Sequence, residues 1–303
     1  MRAVAEQSRE QGTQLPLPAR TTRRNFLRLA AAGVAALGVD SVAIDPNFPE
    51  VVKREIGLRR WPSPLNGFRI AVLSDFHYDP IFSVHPIRAA VALVNELRPD
   101  LIVLTGDFVS LPPLHKQYAK AAIAAEPCAQ LLQQMKAPQG LWAVLGNHDF
   151  YTDPDFVGAA LHAHGIRLLA NESAAIEVNG VRFWLSGVND VLSQTADLSA
   201  TLRPVPANEA TILLAHEPDY ADYAARFPVD LQLSGHSHGG QVRVPFLPAF
   251  YLPDLAKKYP AGSYRIRQLQ LYTNRGLGTV GVAVRFNCAP EITLLTLHRA
   301  IVT

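Results

Sequence analysis

The chain has 303 residues, a net charge of +2 and an apolar fraction of 49%. So small a net charge excludes a strongly basic nucleic-acid surface, and we expect no structural nucleic-acid partner because no long basic run or zinc-finger spacing occurs. Cys128 and Cys288 are too few for a disulfide framework or a cysteine metal cluster. We expect two small buried side chains, although export would permit a bridge between them.

Residues 1–45 form a candidate targeting segment. Arg23 and Arg24 precede an alanine-rich apolar stretch ending at Val39, within TTRRNFLRLAAAGVAALGV. A basic region before a short apolar region is typical of a secretory signal, and the pair resembles a twin-arginine signal, which addresses folded proteins for export. About 13 to 17 apolar residues are short for a membrane span, which needs about 20, but an uncleaved signal could tether the protein. We therefore expect the twin-arginine export machinery as a partner and the periplasm or cell envelope as the location.

Residues 46–67 are predicted to be a linker, and residues 68–303 a single domain. The first half of this domain alternates apolar runs typical of buried strands with helical patterns. The strands are FRIAVLSD (68–75), LIVLTGD (101–107) and LWAVLGNHD (141–149), and the helices cover 86–97, 115–135 and 154–164. Pro127 is a potential break in the second helix.

The second half is rich in strand patterns. They are AAIEV, VRFWLSGV, TILLAHE, LQLSGH, RQLQLYTN, VAVRF and EITLLTL. Asn179–Gly180 predicts a hairpin turn between the first two. Strands and helices that alternate, followed mainly by strands, predict an α/β fold with mixed sheets.

Five predicted strands end in side chains that bind divalent cations: LSDFH, LTGD, LGNHD, LLAHE and LQLSGHSH. In open α/β sheets, sites form beyond the carboxyl ends of the strands, so five strand ends can converge on one crevice. Carboxylate and imidazole groups suit hard or borderline divalent cations. Gly106 and Gly146 precede candidate ligands, where a missing side chain lets the backbone turn tightly near an ion.

The spacing within these motifs predicts a shared site. Asp75 and His77 are two residues apart, so an extended chain would point both to one side, and His236 and His238 repeat this spacing. Asp107 has two carboxylate oxygens and can bridge two ions. Ions bridged at about 3.5–4 Å clamp a phosphoryl group and generate a hydroxide nucleophile. The histidines outside these motifs are predicted to be structural or solvated: His85, His115, His162, His164 and His298.

The motifs D-x-H, GD, GNH(D/E), H and GHxH, in this order, resemble the calcineurin-like metallophosphoesterase superfamily over nearly all of residues 68–298. The segments GHSHGGQVRVP, NRGLGT and VRFNCAPEITLLTL look closest to its YaeI/YkuE-like bacterial branch. The resemblance implies a four-layer αββα sandwich of two mixed β-sheets flanked by helices. It also implies two divalent metal ions as cofactors, with manganese, iron and zinc all compatible.

The resemblance implies a role for each motif residue. One ion would be bound by Asp75, His77 and His238, the other by Asn147, His216 and His236, with Asp107 as the bridge. His148 would face the substrate and stabilise developing charge or protonate the leaving oxygen, and Asp149 would orient it. Arg275 in NRGLGT is a candidate for binding substrate phosphate, with a plain surface arginine as an equal alternative.

Two departures from relatives bear on the substrate. Protein serine/threonine phosphatases of this superfamily carry GDxVDRG, whereas this chain has GDFVSLPP, with Ser110 in place of the second aspartate and no arginine. The tyrosine ligand of purple acid phosphatases has no match after Asp107 either. We therefore rank phosphodiesters and pyrophosphates above monoesters, with in-line attack by a metal-bridging hydroxide and no phosphoenzyme.

A long, proline-broken loop between Val244 and Tyr264 is a candidate wall of the cleft. Its apolar residues lie beside two lysines: Phe246, Leu247, Phe250, Tyr251, Leu252, Lys257 and Lys258. This composition suits a lipid-phosphate substrate or a membrane surface, with packing of the loop on the sheet as an equal alternative.

Three functions follow from these patterns. The first is a metal-dependent phosphodiesterase of the cell envelope. The second is a pyrophosphatase for a UDP-2,3-diacylglucosamine-type substrate in lipid A metabolism, although export argues against a cytoplasmic nucleotide substrate. The third is a non-catalytic wall- or membrane-binding protein, against which the complete ligand set counts.

Overall fold

The computed structural model describes residues 45–112 and 117–300, together with 22–25, 27–28, 31–32, 38 and 41. The chain divides into two units, residues 1–38 and 39–303. In the first unit, the described residues are helical apart from Thr22. The remainder of the expected signal, including its cleavage region, lies outside the described residues. Among those that are described, none of the helices combines the length and the apolar character that crossing a membrane requires.

The second unit contains two six-stranded mixed sheets. The first sheet is formed by β1 (Glu50–Leu58), β2 (Phe68–Leu73), β3 (Leu101–Leu104), β4 (Leu141–Ala143), β5 (Ile166–Leu168) and β12 (Glu291–Arg299), in the order β1-β12-β2-β3-β4-β5. Strands β2 to β5 are parallel, β12 is antiparallel to β2, and β1 is parallel to β12.

The second sheet has the same mixed character. It is formed by β6 (Glu172–Val178), β7 (Val181–Gly187), β8 (Thr211–Leu214), β9 (Leu231–Ser234), β10 (Gly262–Ile266) and β11 (Leu269–Thr273), in the order β10-β11-β9-β8-β7-β6. The four central strands are parallel, and the two edge strands, β10 and β6, are antiparallel to their neighbours.

Helices cover the outer faces of both sheets. They are α1 (Val84–Leu97), α2 (Tyr118–Ala122), α3 (Ala125–Leu132), α4 (Asn147–Thr152), α5 (Pro154–Ala163), α6 (Leu198–Thr201) and α7 (Ala221–Ala224). Short 3-10 turns occur at Asp45–Asn47, Ser63–Leu65, Pro218–Tyr220 and His238–Gly240.

Three apolar clusters separate four layers. Along β2, Ala71 and Leu73 pack against α1, α3 and α5, whereas Ile70 and Val72 face the second sheet. The third cluster lies between the outer face of the second sheet and helices α6 and α7. Since successive side chains point to opposite faces, a strand buried on both faces is apolar throughout, which is why the sequence shows continuous apolar runs there. The predicted αββα sandwich is confirmed.

Most predicted elements are present with shorter boundaries. The hairpin at Asn179–Gly180 is confirmed: both residues have positive φ, 51° and 77°, and Val178 pairs with Val181 across the turn. The helix predicted over 115–135 is two helices, α2 and α3, and they are separated ahead of Pro127. Pro127 lies in the first turn of α3, where a missing N–H leaves no helical bond unmade.

Three predictions about the chain outside the strand-end motifs differ from the structure. Residues 46–67 are not simply a linker, because β1 lies within them and pairs with β12 over nine residues. This edge strand buries only Ile56 and Leu58, so it lacks an apolar pattern. VAVRF does not form a strand; in the described chain it contributes one isolated bridge, between Phe286 and Val242. The predicted loop 244–264 also ends early, at β10.

Candidate metal centre

The candidate ligands follow central strands of both sheets. Asp75 and His77 follow β2, Asp107 follows β3, and Asn147 begins the turn after β4 in the first sheet; His216 follows β8, and His236 and His238 follow β9 in the second. The carboxyl ends of these parallel strands meet at one edge of the sandwich. The structure therefore brings together side chains that are up to 163 residues apart, since 238 minus 75 is 163.

The first group of ligands is Asp75, His77 and His238. One ligand atom from each lies within 4.8 Å of the others. Nε2 of His77 is 3.0 Å from Nε2 of His238, and the latter is 3.5 Å from Oδ1 of Asp75. Two imidazole nitrogens and a carboxylate oxygen that point to one place are a donor set suited to a divalent cation.

The second group is Asp107, His216 and His236, whose ligand atoms also lie within 4.8 Å of one another. Nδ1 of His216 bonds the Thr105 carbonyl at 2.6 Å, and Nε2 of His236 bonds the Asp254 carbonyl at 2.9 Å. Because a ring nitrogen that donates to a carbonyl carries a hydrogen, each of these histidines can bind a cation only through its other nitrogen.

Asn147 is a further candidate ligand for the second group. Its Oδ1 is buried and has no hydrogen-bond partner among the described residues. A buried amide oxygen without a partner costs free energy unless something else binds it. A cation held by the neighbouring ligands would satisfy it, and this orphaned oxygen is the observation that best fits a metal in the site.

Asp107, a member of the second group, also faces the first group. Its Oδ2 is 3.2 Å from Nε2 of His216 and 3.5 Å from Nε2 of His77. Its Oδ1 accepts a hydrogen bond from the backbone N–H of His148 at 2.9 Å, which fixes the rotamer of the carboxylate. One oxygen therefore faces both groups, as a bridging ligand requires.

Three ligand histidines are held neutral by their surroundings. Burial and the neighbouring His148 lower the pKa of His77 to about 3, and burial and His216 lower the pKa of His236 to about 4. Burial and His77 lower the pKa of His238 well below its usual value. Neutral imidazole is the form that binds a cation, so these three side chains are ready to act as ligands at neutral pH.

His216 behaves in the opposite way. Burial opposes its protonation, but the carboxylates of Asp107 and Asp75 outweigh burial and raise the pKa of His216 well above its usual value. Burial also acts against ionisation of Asp107, yet His216 and His148 lower the pKa of Asp107 well below its usual range. In the absence of a cation, a proton on His216 therefore balances the carboxylates.

The ligands lie on backbone in the left-handed conformation. This holds for Asp75, His77, Asp107, His236 and His238, whose φ angles lie between 41° and 67°. The prediction that an extended chain points each D-x-H or H-x-H pair to one side is therefore wrong. β2 ends at Leu73 and β9 at Ser234, and beyond them the chain coils around the site. Such strained residues persist where the surrounding structure over-determines them.

Two glycines permit this close packing, as predicted. Gly106 has a φ of 104°, and a Cβ there would lie 2.5 Å from the backbone nitrogen of Gly146. A Cβ on Gly146 would in turn collide with Asp107 and His216. The loops after β3 and β4 can therefore meet directly beneath the ligands.

His148 lines the cavity above the ligands. The backbone N–H of Leu111 donates a hydrogen bond to its Nδ1 at 2.7 Å. Because Nδ1 is an acceptor, the neutral ring carries its hydrogen on Nε2. Ser110, which occupies the place of the missing aspartate, has its hydroxyl 3.3 Å from Nδ1 of His77. His148 also has a ring nitrogen near His77 and Asp107 at ligand spacing, so it stands close to the metal groups themselves.

The predicted role of Asp149 is wrong. Its carboxylate accepts four backbone hydrogen bonds of 2.8–3.0 Å, from the N–H groups of Asp107, Phe108, Val109 and Gly146. These four bonds, from the loops after β3 and β4, use the whole acceptor capacity of the carboxylate and leave none for His148. Burial and Asp107 raise the pKa of Asp149 to about 7, while the bonds from Gly146 and Val109 oppose that shift. Asp149 joins the loop after β3 to the start of α4.

Arg275 does not reach the cavity, so its predicted contact with substrate is wrong. Its Nε is 2.6 Å from Oε2 of Glu291, and its Nη2 is 2.8 Å from Oε2 of Glu50. The signal in NRGLGT is instead structural: a Cβ on Gly276 would lie 2.6 Å from Cβ of Asp75, and a Cβ on Gly278 would collide with the Phe76 carbonyl. This motif supports the Asp75 loop from behind.

Sequence reasoning missed Arg285, whose side chain is completely buried. Its guanidinium donates to the carbonyl oxygens of Arg275, Gly276, Gly278 and Cys288 at 2.6–3.1 Å. The segment 275–288 is therefore folded around the Arg285 guanidinium, which joins its two ends. An arginine inside an apolar pattern, VAVRF, is the sequence signal for this role. Cys128 and Cys288 are both buried free thiols, as expected.

The two ligand groups open into a cavity of about 530 Å³. Its floor contains Asp107, Asn147, His148, His236 and His238. Its walls are mainly apolar and include Leu192, Val242, Phe250, Tyr251, Pro253, Val280 and Val282. The predicted loop after His238 thus forms one wall of the cavity.

Carboxylate and imidazole groups gathered from both sheets of an αββα sandwich define a metal-dependent hydrolase of phosphoric esters. The calcineurin-like phosphoesterase family model matches residues 68–240, and the chain belongs to this family. It is 33% identical to the metallophosphoesterase YkuE of Bacillus subtilis over 285 residues, which cover 91% of this chain and 97% of that protein. It is 32% identical to the phosphodiesterase YaeI of Escherichia coli over 284 residues, 91% of this chain and 99% of that protein.

Solved structures are similar at a lower level. The NAD nucleotidase NadN of Haemophilus influenzae aligns with a TM-score of 0.46 and 15% identity over 69% of this chain and 45% of that chain. A dimetal phosphatase from Danio rerio aligns with a TM-score of 0.44 and 13% identity over 70% of this chain and 88% of that chain. Similarity at this level says nothing about substrate.

Proposed function

We propose that the protein is a metal-dependent phosphodiesterase. The observation that carries this proposal is the cavity: the ligand groups form its floor, and no lysine or arginine is among the described residues that line it. A phosphomonoester carries a charge of about −1.5 to −2 at neutral pH. A diester carries less charge and two ester substituents, which suit a site with apolar walls and no cationic side chain.

The ligand residues fit two divalent cations. The first would be held by Asp75, His77 and His238, the second by Asn147, His216 and His236, with Asp107 reaching both. Manganese, iron and zinc are all compatible with these oxygen and nitrogen donors. Once bound, such cations supply Lewis acidity toward the phosphoryl oxygens and a water molecule of lowered pKa.

The protein's own residues position the reaction. Water adds to phosphorus, the bond from phosphorus to one ester oxygen breaks, and that oxygen gains a proton and leaves as an alcohol. His148 presents Nε2–H to the cavity because its Nδ1 is occupied by Leu111. From there it can donate a hydrogen bond to a phosphoryl oxygen or to the leaving oxygen. The phosphodiesterase name of the relative YaeI supports the same reaction class.

We also propose export to the cell envelope by the twin-arginine route. The support is the pattern of Arg23 and Arg24 ahead of a short apolar stretch. An exported phosphodiesterase would act on envelope phosphodiesters and not on a cytoplasmic nucleotide sugar. The proposed export therefore favours the phosphodiesterase function over the UDP-2,3-diacylglucosamine-type pyrophosphatase function.

The test is a substrate panel with the full chain loaded with manganese. We expect turnover of bis(p-nitrophenyl) phosphate to exceed turnover of p-nitrophenyl phosphate and of a UDP-sugar pyrophosphate. His236→Ala should lower diester turnover by more than about 100-fold, because it removes a ligand. His162→Ala is the matched control, since His162 is exposed on α5 and should change nothing. Full activity in His236→Ala, or a preference for the monoester, would overturn the proposal.

A further inference from the structure

Exposed apolar side chains stand at the mouth of the metal cavity. On one wall, Phe250 and Tyr251 are 70% and 71% exposed, and the adjacent Phe246 is completely exposed. Val282, which also lines the cavity, is 62% exposed. Single exposed apolar residues are ordinary, but several large ones around one opening mark an interaction surface.

This surface continues past the second wall. In the segment 277–283, Val280 and Val282 line the metal cavity, whereas Leu277 and Ala283 line a smaller neighbouring pocket. The other side of that pocket contains Ile81 and Phe82, which are themselves exposed. Because the segment 277–283 borders both pockets, we treat the exposed apolar residues around them as one surface, the apolar rim, defined by Ile81, Phe82, Phe246, Leu247, Phe250, Tyr251 and Val282.

The rim is held by the folded domain. The side chain of Gln241 donates to the carbonyls of Val280 and Val282 and accepts from the N–H of Val280, at 3.0–3.2 Å. At the base of the other wall, the carboxylate of Asp219 accepts the backbone N–H groups of Lys257 and of the two residues that follow it. These bonds fix the backbone at Val280 and Val282 and at the end of the loop that carries Phe250 and Tyr251.

The lysines beside the rim are already paired within the molecule. Nζ of Lys257 is 2.6 Å from Oδ1 of Asp254, and Lys258 forms an ion pair with Asp222. They leave little net charge to attract an anionic surface. The rim would therefore bind a bilayer through apolar contacts with its acyl chains and not through electrostatic attraction to its charged headgroups.

The chain enters the domain at this same rim. Pro46 and Asn47 line the smaller pocket together with Phe82, and the carbonyl of Ser41 accepts a hydrogen bond from the N–H of Arg285, two residues beyond Ala283. The proposed signal segment, if it stays uncleaved, would therefore be joined to the domain beside the rim.

We propose that the apolar rim docks on a lipid bilayer and that the substrate is an amphiphilic phosphodiester. Its phosphate group reaches the metal centre while its acyl chains stay against the rim and the bilayer. Hydrolysis adds water across one P–O ester bond and yields a phosphomonoester and an alcohol. The substrate class rests on the phosphodiesterase function proposed above, whereas docking of the rim is independent of any turnover.

Docking is tested with a fluorophore on the rim of the full chain. Phe246→Cys gives an accessible thiol for an environment-sensitive label, because Cys128 and Cys288 are 0% and 1% exposed. Vesicles of phosphatidylethanolamine and phosphatidylglycerol should shift its emission to the blue, and vesicles of phosphatidylcholine should do so too, even at high salt. The matched control is Ile123→Cys between α2 and α3, where Ile123 is 58% exposed and lines neither of the pockets that border the rim. The emission of a label at this position should not shift.

Turnover provides the second arm. Phe246→Glu and Phe82→Glu change rim residues that do not line the metal cavity. They should leave turnover of bis(p-nitrophenyl) phosphate unchanged and lower hydrolysis of a vesicle-borne phosphodiester lipid about tenfold, because a charge opposes apolar insertion. Ile123→Glu should affect neither substrate.

The two arms separate the outcomes. An unshifted label at residue 246 overturns docking, and a shift seen only with a protein partner would make the rim a protein-binding surface. A shifted label with unchanged lipid turnover in both glutamate variants overturns the amphiphilic substrate. A shifted label in a protein that hydrolyses no diester would leave docking intact and overturn the proposed function.

Discussion

Left-handed backbone at five candidate ligands is the main residue-scale feature that the sequence conceals. Such conformations cost non-glycine residues about 1–3 kcal/mol each. In this protein they are held by bonds from neighbouring loops, such as the backbone N–H of His77 to the Asp107 carbonyl at 3.0 Å. The side chains are therefore positioned before any cation arrives, which limits the reorganisation that binding requires.

Asp149 should be more important to stability than to chemistry. Asp149→Asn replaces one acceptor oxygen by an NH₂ group, so two of the four backbone N–H groups would lose their acceptor. Each buried unsatisfied group costs about 1–3 kcal/mol. Urea unfolding of the metal-free protein should therefore show a free energy of unfolding that is lower by about this amount for each N–H group that loses its acceptor. The control is Asp153→Asn, which caps α5 through one bond to Phe156 and should change little, since asparagine also caps helices. Equal stability of both variants would contradict the role of Asp149.

Metal binding should release a proton at neutral pH. The pKa of His216 is raised well above its usual value in the metal-free site, so His216 is protonated there, and it must lose that proton to act as a ligand. His77 and His236, with pKa values of about 3 and 4, have none to lose. Affinity should therefore rise with pH up to the pKa of His216. Calorimetric titration in buffers of different ionisation enthalpy should report release of about one proton. Binding heats independent of the buffer would contradict this.

At the scale of elements, the segment 275–288 supports the site without contributing a ligand. The glycines of this segment contact the Asp75 loop, and the Arg285 side chain donates hydrogen bonds to the backbone carbonyls of the segment. The sequence patterns NRGLGT and VAVRF indicated a substrate arginine and a strand. The first prediction failed because Arg275 pairs with Glu50 and Glu291. The second failed because the Arg285 guanidinium bonds the carbonyls of its own loop, where no regular strand forms.

Arg285→Lys should loosen this segment. A lysine keeps the charge but offers a single ammonium in place of the planar guanidinium, so several buried carbonyls would lose their donors. We expect the melting temperature to fall by several degrees and manganese affinity to weaken, because Asp75 loses its support. Arg243→Lys, at a half-buried position in the neighbouring loop, is the control and should preserve both. A variant with unchanged melting temperature and metal affinity would contradict the role of Arg285.

At the scale of the whole molecule, most of the sandwich was predictable because its strands are buried on both faces and read as apolar runs. Edge strands such as β1 were not, since half-exposed strands lack that pattern. The ligand residues were predictable because acids and imidazoles recur where strands stop. Asp149 and Arg275 were misassigned because proximity in sequence does not tell which backbone groups a carboxylate or guanidinium will bind.

The proposed export by the twin-arginine route concerns the whole chain. Replacing Arg23 and Arg24 together by lysine should retain the protein in the cytoplasm, because the twin-arginine signal is recognised through its arginine pair. Arg28→Lys, in the same segment, is the control and should leave export unchanged. Cell fractionation measures both. Normal export of the double variant would contradict the twin-arginine route.

The central claim is that strand ends from two sheets build one site for a pair of cations. It is tested most directly by crystals of the full chain loaded with manganese and measured at the manganese absorption edge. We predict two anomalous peaks, one within the group Asp75, His77 and His238 and one within the group Asp107, His216 and His236. A single peak, or peaks away from Asp107, would contradict the account.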